Sequence, residues 1–192
     1  MPVTTLDPGT ALEVIDLQKG ITALPTIAPS DTIVANAGRL AAAFRARGLP
    51  VVLVRTSFAH DGADMLAPRN ELPPPSMTRA PDFADLRPEL GQASEDLVIT
   101  KHQWDAFFGT ELDLQLRRRR ITGIVLVGIS TSIGVESTAR QAFSHGFHVV
   151  IASDATTDLV QSAHDNSMQA IFPRLGQIDT TDAIIAALPA AS

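Results

Sequence analysis

Short continuous apolar runs alternate along this chain with longer segments of helical spacing. The runs are Ala11–Ile15, Val51–Val54, Leu97–Ile99, Ile124–Val127 and Val149–Ala152. Their length, continuity and β-branched content predict strands buried on both faces. Between them, Asp31 to Arg47 places Ile33, Ala37, Leu40, Ala41 and Phe44 on one face, with Ser30 or Asp31 as N-cap and Gly48 as stop. Thr110 is placed to cap a helix from Glu111 to about Arg119. Gly134 to Ser144 reads as another helix, stopped near Gly146. Ser162 to Phe172 is a further helix, ended by Pro173, and Thr180 to Leu188 is the last, preceded by a weaker strand at Gln177–Asp179.

Strands alternating with helices predict an α/β fold, a three-layer α/β/α sandwich around a mostly parallel sheet. Right-handed crossovers leave few topologies, of which six strands in the order 3-2-1-4-5-6 is the one expected. At 192 residues, with no internal repeat and no linker, residues 1–192 are expected to form a single domain. Ser57 to Pro81 breaks the rhythm. It holds Pro68, Pro73, Pro74, Pro75 and Pro81 and shows no periodicity. A long loop of this kind is usually functional or an oligomer arm.

Composition narrows the function. Apolar residues make up 45% and charged residues 19%, a globular balance, and the net charge of −6 argues against a nucleic-acid surface. The one basic run, Arg117 to Arg120, falls between an amphipathic segment and a strand and reads as a solvated helix end. There is no cysteine, which removes disulfides, thiolate metal sites and Cys nucleophiles together. No apolar run reaches membrane-spanning length, so a cytoplasmic protein without membrane partners is expected.

In open parallel sheets ligands bind beyond the carboxyl ends of the strands, near the switch in strand order. Asp16 follows the first strand, Lys101 the third, and the small-residue loop Gly128 to Thr138 the fourth. Strands one and four flank the switch in the expected order, so Asp16 and the loop before Gly134 should face each other. Lys101 joins them only if its strand or loop curls inward. Taken singly, an Asp ending a strand is more often a turn residue and a Lys there a solvated one. The loop is a stronger signal, because a helix N-terminus flanked by small residues exposes backbone N–H groups to an anion.

Together these segments resemble the isochorismatase-like hydrolases, the cysteine hydrolase superfamily. Val14-Ile15-Asp16-Leu17-Gln18 is similar to the family's V-I-D-M-Q motif. Lys101 with Trp104, Phe107, Phe108, Gly109, Thr110 and Leu112 resembles its K-x-x-x-x-x-F-x-G-T-x-L segment. Gly128 to Arg140 resembles its G-x-x-T-x-x-C-V-E-S-T-A-R signature, and Gly146 and Asp154 fit the segment after it. The resemblance runs from Ala11 to Leu188 and is least over Ser57 to Asp96. It implies a cofactor-independent hydrolase with a catalytic set of Asp16, Lys101 and, at the cysteine position, Gly134. Gln18, Thr56, Trp104, Ser130, Thr131 and Ile133 are then the substrate-binding candidates. It also implies a homodimer or homotetramer, for which the Leu72 to Pro81 loop is a candidate contact, and a non-proline cis peptide expected at Ser130–Thr131.

Glycine offers no nucleophile. Isochorismatases proper resemble this chain in carrying glycine there, and they split a vinyl ether without a covalent intermediate. By that analogy a protonated Asp16 delivers a proton to the enol-ether carbon and water captures the oxocarbenium ion, which requires burial to raise the Asp16 pKa against Lys101. The chain departs from those enzymes at Thr56, where they carry glutamine, and at Ser130, where they carry tyrosine. The substrate is thus expected to be a different small, anionic metabolite, with Arg55, Arg69 and Arg79 as candidate carboxylate partners unless they are ordinary surface arginines. Trp104, Phe107 and Phe108 either wall the pocket or pack in the core. No metal is expected: the nicotinamidase branch uses an Asp and two His after the second strand, and here His60, Asp61 and Asp64 lack a second His. The other readings are a non-catalytic small-molecule-binding member and an amidase using water as nucleophile.

Overall fold

The apolar runs become six strands: β1 (Thr10–Ile15), β2 (Val51–Thr56), β3 (Leu97–Lys101), β4 (Gly123–Ile129), β5 (His148–Thr157) and β6 (Gly176–Asp179). A computed structural model describes residues 3–71 and 79–190. The strands form one sheet in the order β3-β2-β1-β4-β5-β6, every pairing parallel. The helices are α1 (Lys19–Thr22), α2 (Ser30–Arg45), α3 (Leu112–Arg118), α4 (Glu136–Ser144), α5 (Gln161–Asn166), α6 (Phe172–Leu175) and α7 (Thr181–Ala186). Among the described residues, no helix is long and apolar enough to cross a membrane.

Side chains alternate across a strand, so each strand feeds two cores. On one face Leu12, Val14, Leu53, Val125, Val127 and Val150 share a buried cluster with Ile33, Ala37, Leu40 and Phe44 of α2 and Ile184 of α7. On the other, Ala11, Ile15, Val52, Val54, Ile124, Leu126 and Ile151 join Leu112 and Leu116 of α3, Ala139 and Ala142 of α4, and Phe172. These are the three layers. Truncating one fully buried side chain such as Leu40 or Leu116 to alanine is expected to cost roughly 2–5 kcal/mol.

An acid lies inside the second core. Glu13, between Ala11 and Ile15 on β1, is fully buried, in register with Val52 and Leu126. Among the described residues neither of its carboxylate oxygens has a hydrogen-bond partner. Burial alone pushes its pKa from the ordinary 4.5 up to about 8, so it stays protonated at neutral pH.

The helix ends follow local chemistry, with three departures from the sequence expectation. Gly48 and Gly146 take positive φ just past α2 and α4, as stops should, and the Thr180 hydroxyl accepts from Ala183 N–H at the start of α7. At α2, however, Ser30 is the first helical residue, Pro29 stands at the N-cap with no side-chain cap bond, and the Ser30 hydroxyl donates to the Thr22 carbonyl. The segment expected to be one helix from Ser162 is α5, then a π turn over Ser167–Ile171, then α6. Pro173 does not end it, because it sits in the first turn of α6, where a missing N–H forfeits no intrahelical bond. The helix expected from Gly134 is preceded by a π turn over Thr131–Val135 and begins at Glu136.

Arg117 to Arg120 form the exposed end of α3 and the turn after it. Arg117 pairs with Asp113, donates to the His145 carbonyl and lies 4.3 Å from the Phe147 ring centre. Within Ser57 to Pro81, the described residues form no helix or strand after β2 ends. The candidate subunit contact at Leu72 to Pro81 falls mostly on residues 72–78, outside the described residues.

Candidate active site

At the switch point β1 and β4 lie side by side and their following segments diverge, leaving a crevice at the carboxyl end of the sheet. Asp16 is the first residue beyond β1. Its N–H donates to the Val54 carbonyl (2.9 Å), and it adopts φ +54°, a left-handed conformation uncommon for a side chain larger than glycine. Strain of this kind, on the order of 1–3 kcal/mol, persists where the surroundings over-determine the backbone. Beside it, β4 passes so close that a Cβ on Gly128 (φ +131°) would lie 2.0 Å from the Ile15 carbonyl oxygen; only glycine fits.

Lys101 ends β3, two strands from β1. It is in register with Thr56 on β2, and its long side chain reaches past that small residue to Asp16. The Lys101 ammonium donates to Asp16 Oδ2 (2.7 Å), Thr56 Oγ1 (3.0 Å) and the Gln103 carbonyl (3.1 Å). All three of its protons are therefore engaged. Thr56 Oγ1 in turn donates to Asp16 Oδ1 (3.0 Å). Asp16 and Lys101 are only 6% and 2% exposed. Burial pushes the Asp16 carboxyl above its ordinary value of 3.8, and the opposing pull of the Lys101 charge, the Lys101 hydrogen bond and the Thr56 hydroxyl offsets this only in part.

The signature turn forms the opposite wall. Its cis peptide lies between Ile129 and Ser130, one bond earlier than expected. The Ser130 carbonyl then accepts from both Ile133 and Val135 N–H (3.2 and 3.1 Å), which widens the turn into the π geometry. Asp158 holds the turn from behind, accepting from Ser132 N–H (2.7 Å) through one oxygen and from Leu159 and Val160 N–H through the other. Gly134 presents its backbone to the acid. A Cβ there would lie 3.3 Å from Asp16 Oδ2, 3.0 Å from Ile15 Cγ2 and 3.6 Å from the Trp104 carbonyl.

The cleft between these walls has a volume of about 310 Å³. It brings together Asp16, Lys101, Gly134, Thr56, Trp104, Ser130 and Ile133. Two substrate-binding candidates are not at its surface. Gln18 is fully buried: its amide donates to the Thr56 and Phe83 carbonyls and its oxygen accepts from Thr56 N–H, so it fixes the end of β2. Thr131 is also fully buried, with Oγ1 at hydrogen-bond distance from Thr156 Oγ1 (3.1 Å) and His164 Nδ1 (2.9 Å). Of the three aromatics, Trp104 lines the cleft and is 64% exposed, Phe107 packs in the core, and Phe108 is exposed outside the cleft.

Of the candidate arginines, only Arg79 lines the cleft; Arg55 turns aside to Thr100 Oγ1 (3.1 Å). The structure adds wall residues that sequence reasoning did not find: Ile21, Leu24, Phe58, Met65, Leu66 and Leu159. Ile21 lies in the one-turn helix α1 and the others in loops, where no period marks them. Among the described residues, no group of three or more His, Cys, Asp or Glu side chains is placed to hold a metal ion. The arrangement has what acid–base chemistry needs: a buried protonatable carboxyl, a fixed cation beside it and open space in front.

The model of the isochorismatase domain matches residues 10–183. The chain is 46% identical over 182 residues to the uncharacterized isochorismatase family protein YecD of Escherichia coli O157:H7, covering 93% of this chain and 96% of that protein. It is 26% identical to the N-carbamoylsarcosine amidase of an Arthrobacter species, over 83% of this chain and 62% of the amidase. A solved isochorismatase family protein from Burkholderia thailandensis superposes with a TM-score of 0.93 at 47% identity, over 96% of this chain and 98% of the other. A sheet in this strand order, a cleft at its switch point and a family match spanning nearly the whole chain agree: the protein belongs to the isochorismatase family of hydrolases.

Proposed function

We propose that the protein hydrolyses a vinyl ether in a small anionic metabolite, with Asp16 as general acid, Lys101 as the fixed countercharge and no covalent intermediate at position 134. The observation that carries this reading is the triad Asp16–Thr56–Lys101 facing a glycine. Where the family's cysteine would stand, Gly134 supplies space beside Asp16 Oδ2 and no nucleophile. Protonated Asp16 delivers its proton to the terminal enol-ether carbon, forming a C–H bond and leaving an oxocarbenium ion. Water adds to that cation and loses a proton, and the hemiketal collapses to a ketone and an alcohol. Proton loss returns Asp16 to an ion pair with Lys101 at 2.7 Å, so the charge that appears on the acid is stabilised where it forms. The raised pKa of Asp16 serves this step by keeping a fraction of the acid protonated nearer neutral pH.

A second reading, favoured by the amidase among the relatives, keeps the same groups but has Asp16 as base activating water against an amide. One panel separates the two. Vinyl ethers, amides and esters are assayed with wild type and Asp16→Asn, following ketone or ammonia release and checking the fold by circular dichroism. Ketone release from a vinyl ether that falls at least roughly thousandfold in Asp16→Asn, with an unchanged fold, is the expected outcome. Ammonia release instead supports the amidase. Full activity in Asp16→Asn on the turned-over substrate overturns both.

A further inference from the structure

We propose that Arg79 is the anion anchor of the cleft and that the substrate is a monocarboxylate with an apolar body. The inference rests on the hydrolase reading of the Asp16–Lys101 pair and adds the substrate's class to it.

The argument begins with charge balance. Lys101 lies 2.7 Å from Asp16, and its three protons are spent on Asp16, Thr56 and the Gln103 carbonyl. Arg79, on another wall of the same cleft, is compensated by nothing of the kind. Its guanidinium carbon lies 4.7 Å from the Phe58 ring centre and 5.2 Å from that of Phe83, and Nη1 donates to Met65 Sδ (3.3 Å). Among the described residues no carboxylate pairs with it. Asp64, on the same long loop, is engaged by Ala59 N–H (2.8 Å) and His102 (3.4 Å). Among the described residues the guanidinium is thus positioned by ring contacts and one weak sulfur acceptor, which engage few of its five N–H donors. An arginine held in this way is preorganised for a planar, two-oxygen partner, since carboxylates accept two parallel N–H bonds from the guanidinium fork.

The remaining walls define the rest of the ligand. Leu24, Leu66 and Trp104 line the cleft yet are 39%, 66% and 64% exposed, and Leu159 lies with them. These surfaces favour an apolar body rather than a polyhydroxylated one. With the Lys101 protons already spent, Arg79 is the one cleft guanidinium among the described residues, which favours a single negative charge, because a second anion in an apolar cleft would stay unpaired. A neutral amide of the same shape offers Arg79 one acceptor oxygen and no charge.

The test reads binding and needs no turnover. Trp104 is the chain's one tryptophan and there is no tyrosine, so intrinsic fluorescence reports on the cleft. Cyclohexanecarboxylate and cyclohexanecarboxamide, alike in shape, are titrated into the full chain as wild type, Arg79→Gln and Arg79→Lys. Wild type should bind the carboxylate roughly tenfold or more tightly than the carboxamide. Arg79→Gln should bring that ratio to near one, chiefly by weakening the carboxylate, and Arg79→Lys should fall between. Equal affinities in wild type, a preference that survives Arg79→Gln, or no saturable carboxylate binding would each overturn the proposal. Asp16→Asn turnover decides the catalytic reading separately, so the failure of one is distinguishable from the failure of the other.

Discussion

Glu13 and Asp16 are carried by the same strand and the residue just past it, and both are buried carboxyls with raised pKa values, yet their surroundings are opposite. Asp16 opens on a cleft and has Lys101 on one oxygen and Thr56 on the other. Glu13 is sealed between Val52 and Leu126, with no partner among the described residues. Desolvation is the leading cause at both. The contrast shows that burial alone makes a carboxyl neutral and inert, whereas burial beside a cation makes one that can lose its proton and keep the resulting charge. A perturbed pKa is therefore a sign of function only when a partner and an opening accompany it.

The largest expected effect comes from making Asp16 resemble Glu13. Lys101→Met removes the countercharge and should lower turnover by at least roughly thousandfold, measured on whatever substrate the panel yields. It should also raise the Asp16 pKa further, since the Lys101 terms that lower it are gone. Turnover within tenfold of wild type would place Lys101 outside the chemistry.

Next is the reverse operation, deleting the orphan. The folded chain holds the Glu13 proton up to about pH 8, whereas an unfolded one releases it near 4.5. Below 4.5 both states are protonated and the wild type suffers no ionisation penalty. Between 4.5 and 8 only the unfolded state releases the proton, so stability falls as pH rises; above 8 both states have released it and the loss is complete. Glu13→Leu should abolish this slope and stabilise the protein by several kcal/mol at pH 8, raising Tm by roughly 10 °C, with little gain at pH 4. Thermal melts across that range check it, and a gain independent of pH would contradict the burial account.

Thr56→Val should have a smaller effect, roughly 10- to 100-fold on kcat, because it deletes one hydrogen bond to a buried charged pair. A kcat unchanged in that variant would make Thr56 a spacer only. Gly134→Ala should be the mildest, a change of several-fold seen chiefly in KM, since its Cβ would stand 3.3 Å from Asp16 Oδ2 in the space offered to substrate. A fall confined to kcat would instead mean that the added methyl disturbs Asp16 itself.

Much of the fold and the centre of the site could be read from the chain. Continuous apolar runs marked the strands, and the switch-point rule placed Asp16 opposite the loop before Gly134. What was hidden depended on reach and on packing in three dimensions. Lys101 meets Asp16 because it is in register with a small residue, Thr56, over which its side chain passes; periodicity says nothing of that. Gln18 and Thr131 sit in motif positions but turn inward, because their polar groups are spent on holding neighbouring loops. Pro173 was read as a stop because a widened turn before it is invisible to a 3.6-residue period. Glu13 carried a signal that periodicity passed over, an acid in the middle of an apolar run; that it has no partner needed the fold.

Carbon-13 NMR titration of the Asp16 side-chain carboxyl, assigned by its loss in Asp16→Asn, tests the central claim without knowledge of the substrate. The account predicts a titration midpoint above the ordinary value of 3.8. A midpoint at or below 3.8 would mean that Lys101 dominates burial, leaving Asp16 a permanent carboxylate that cannot serve as the acid.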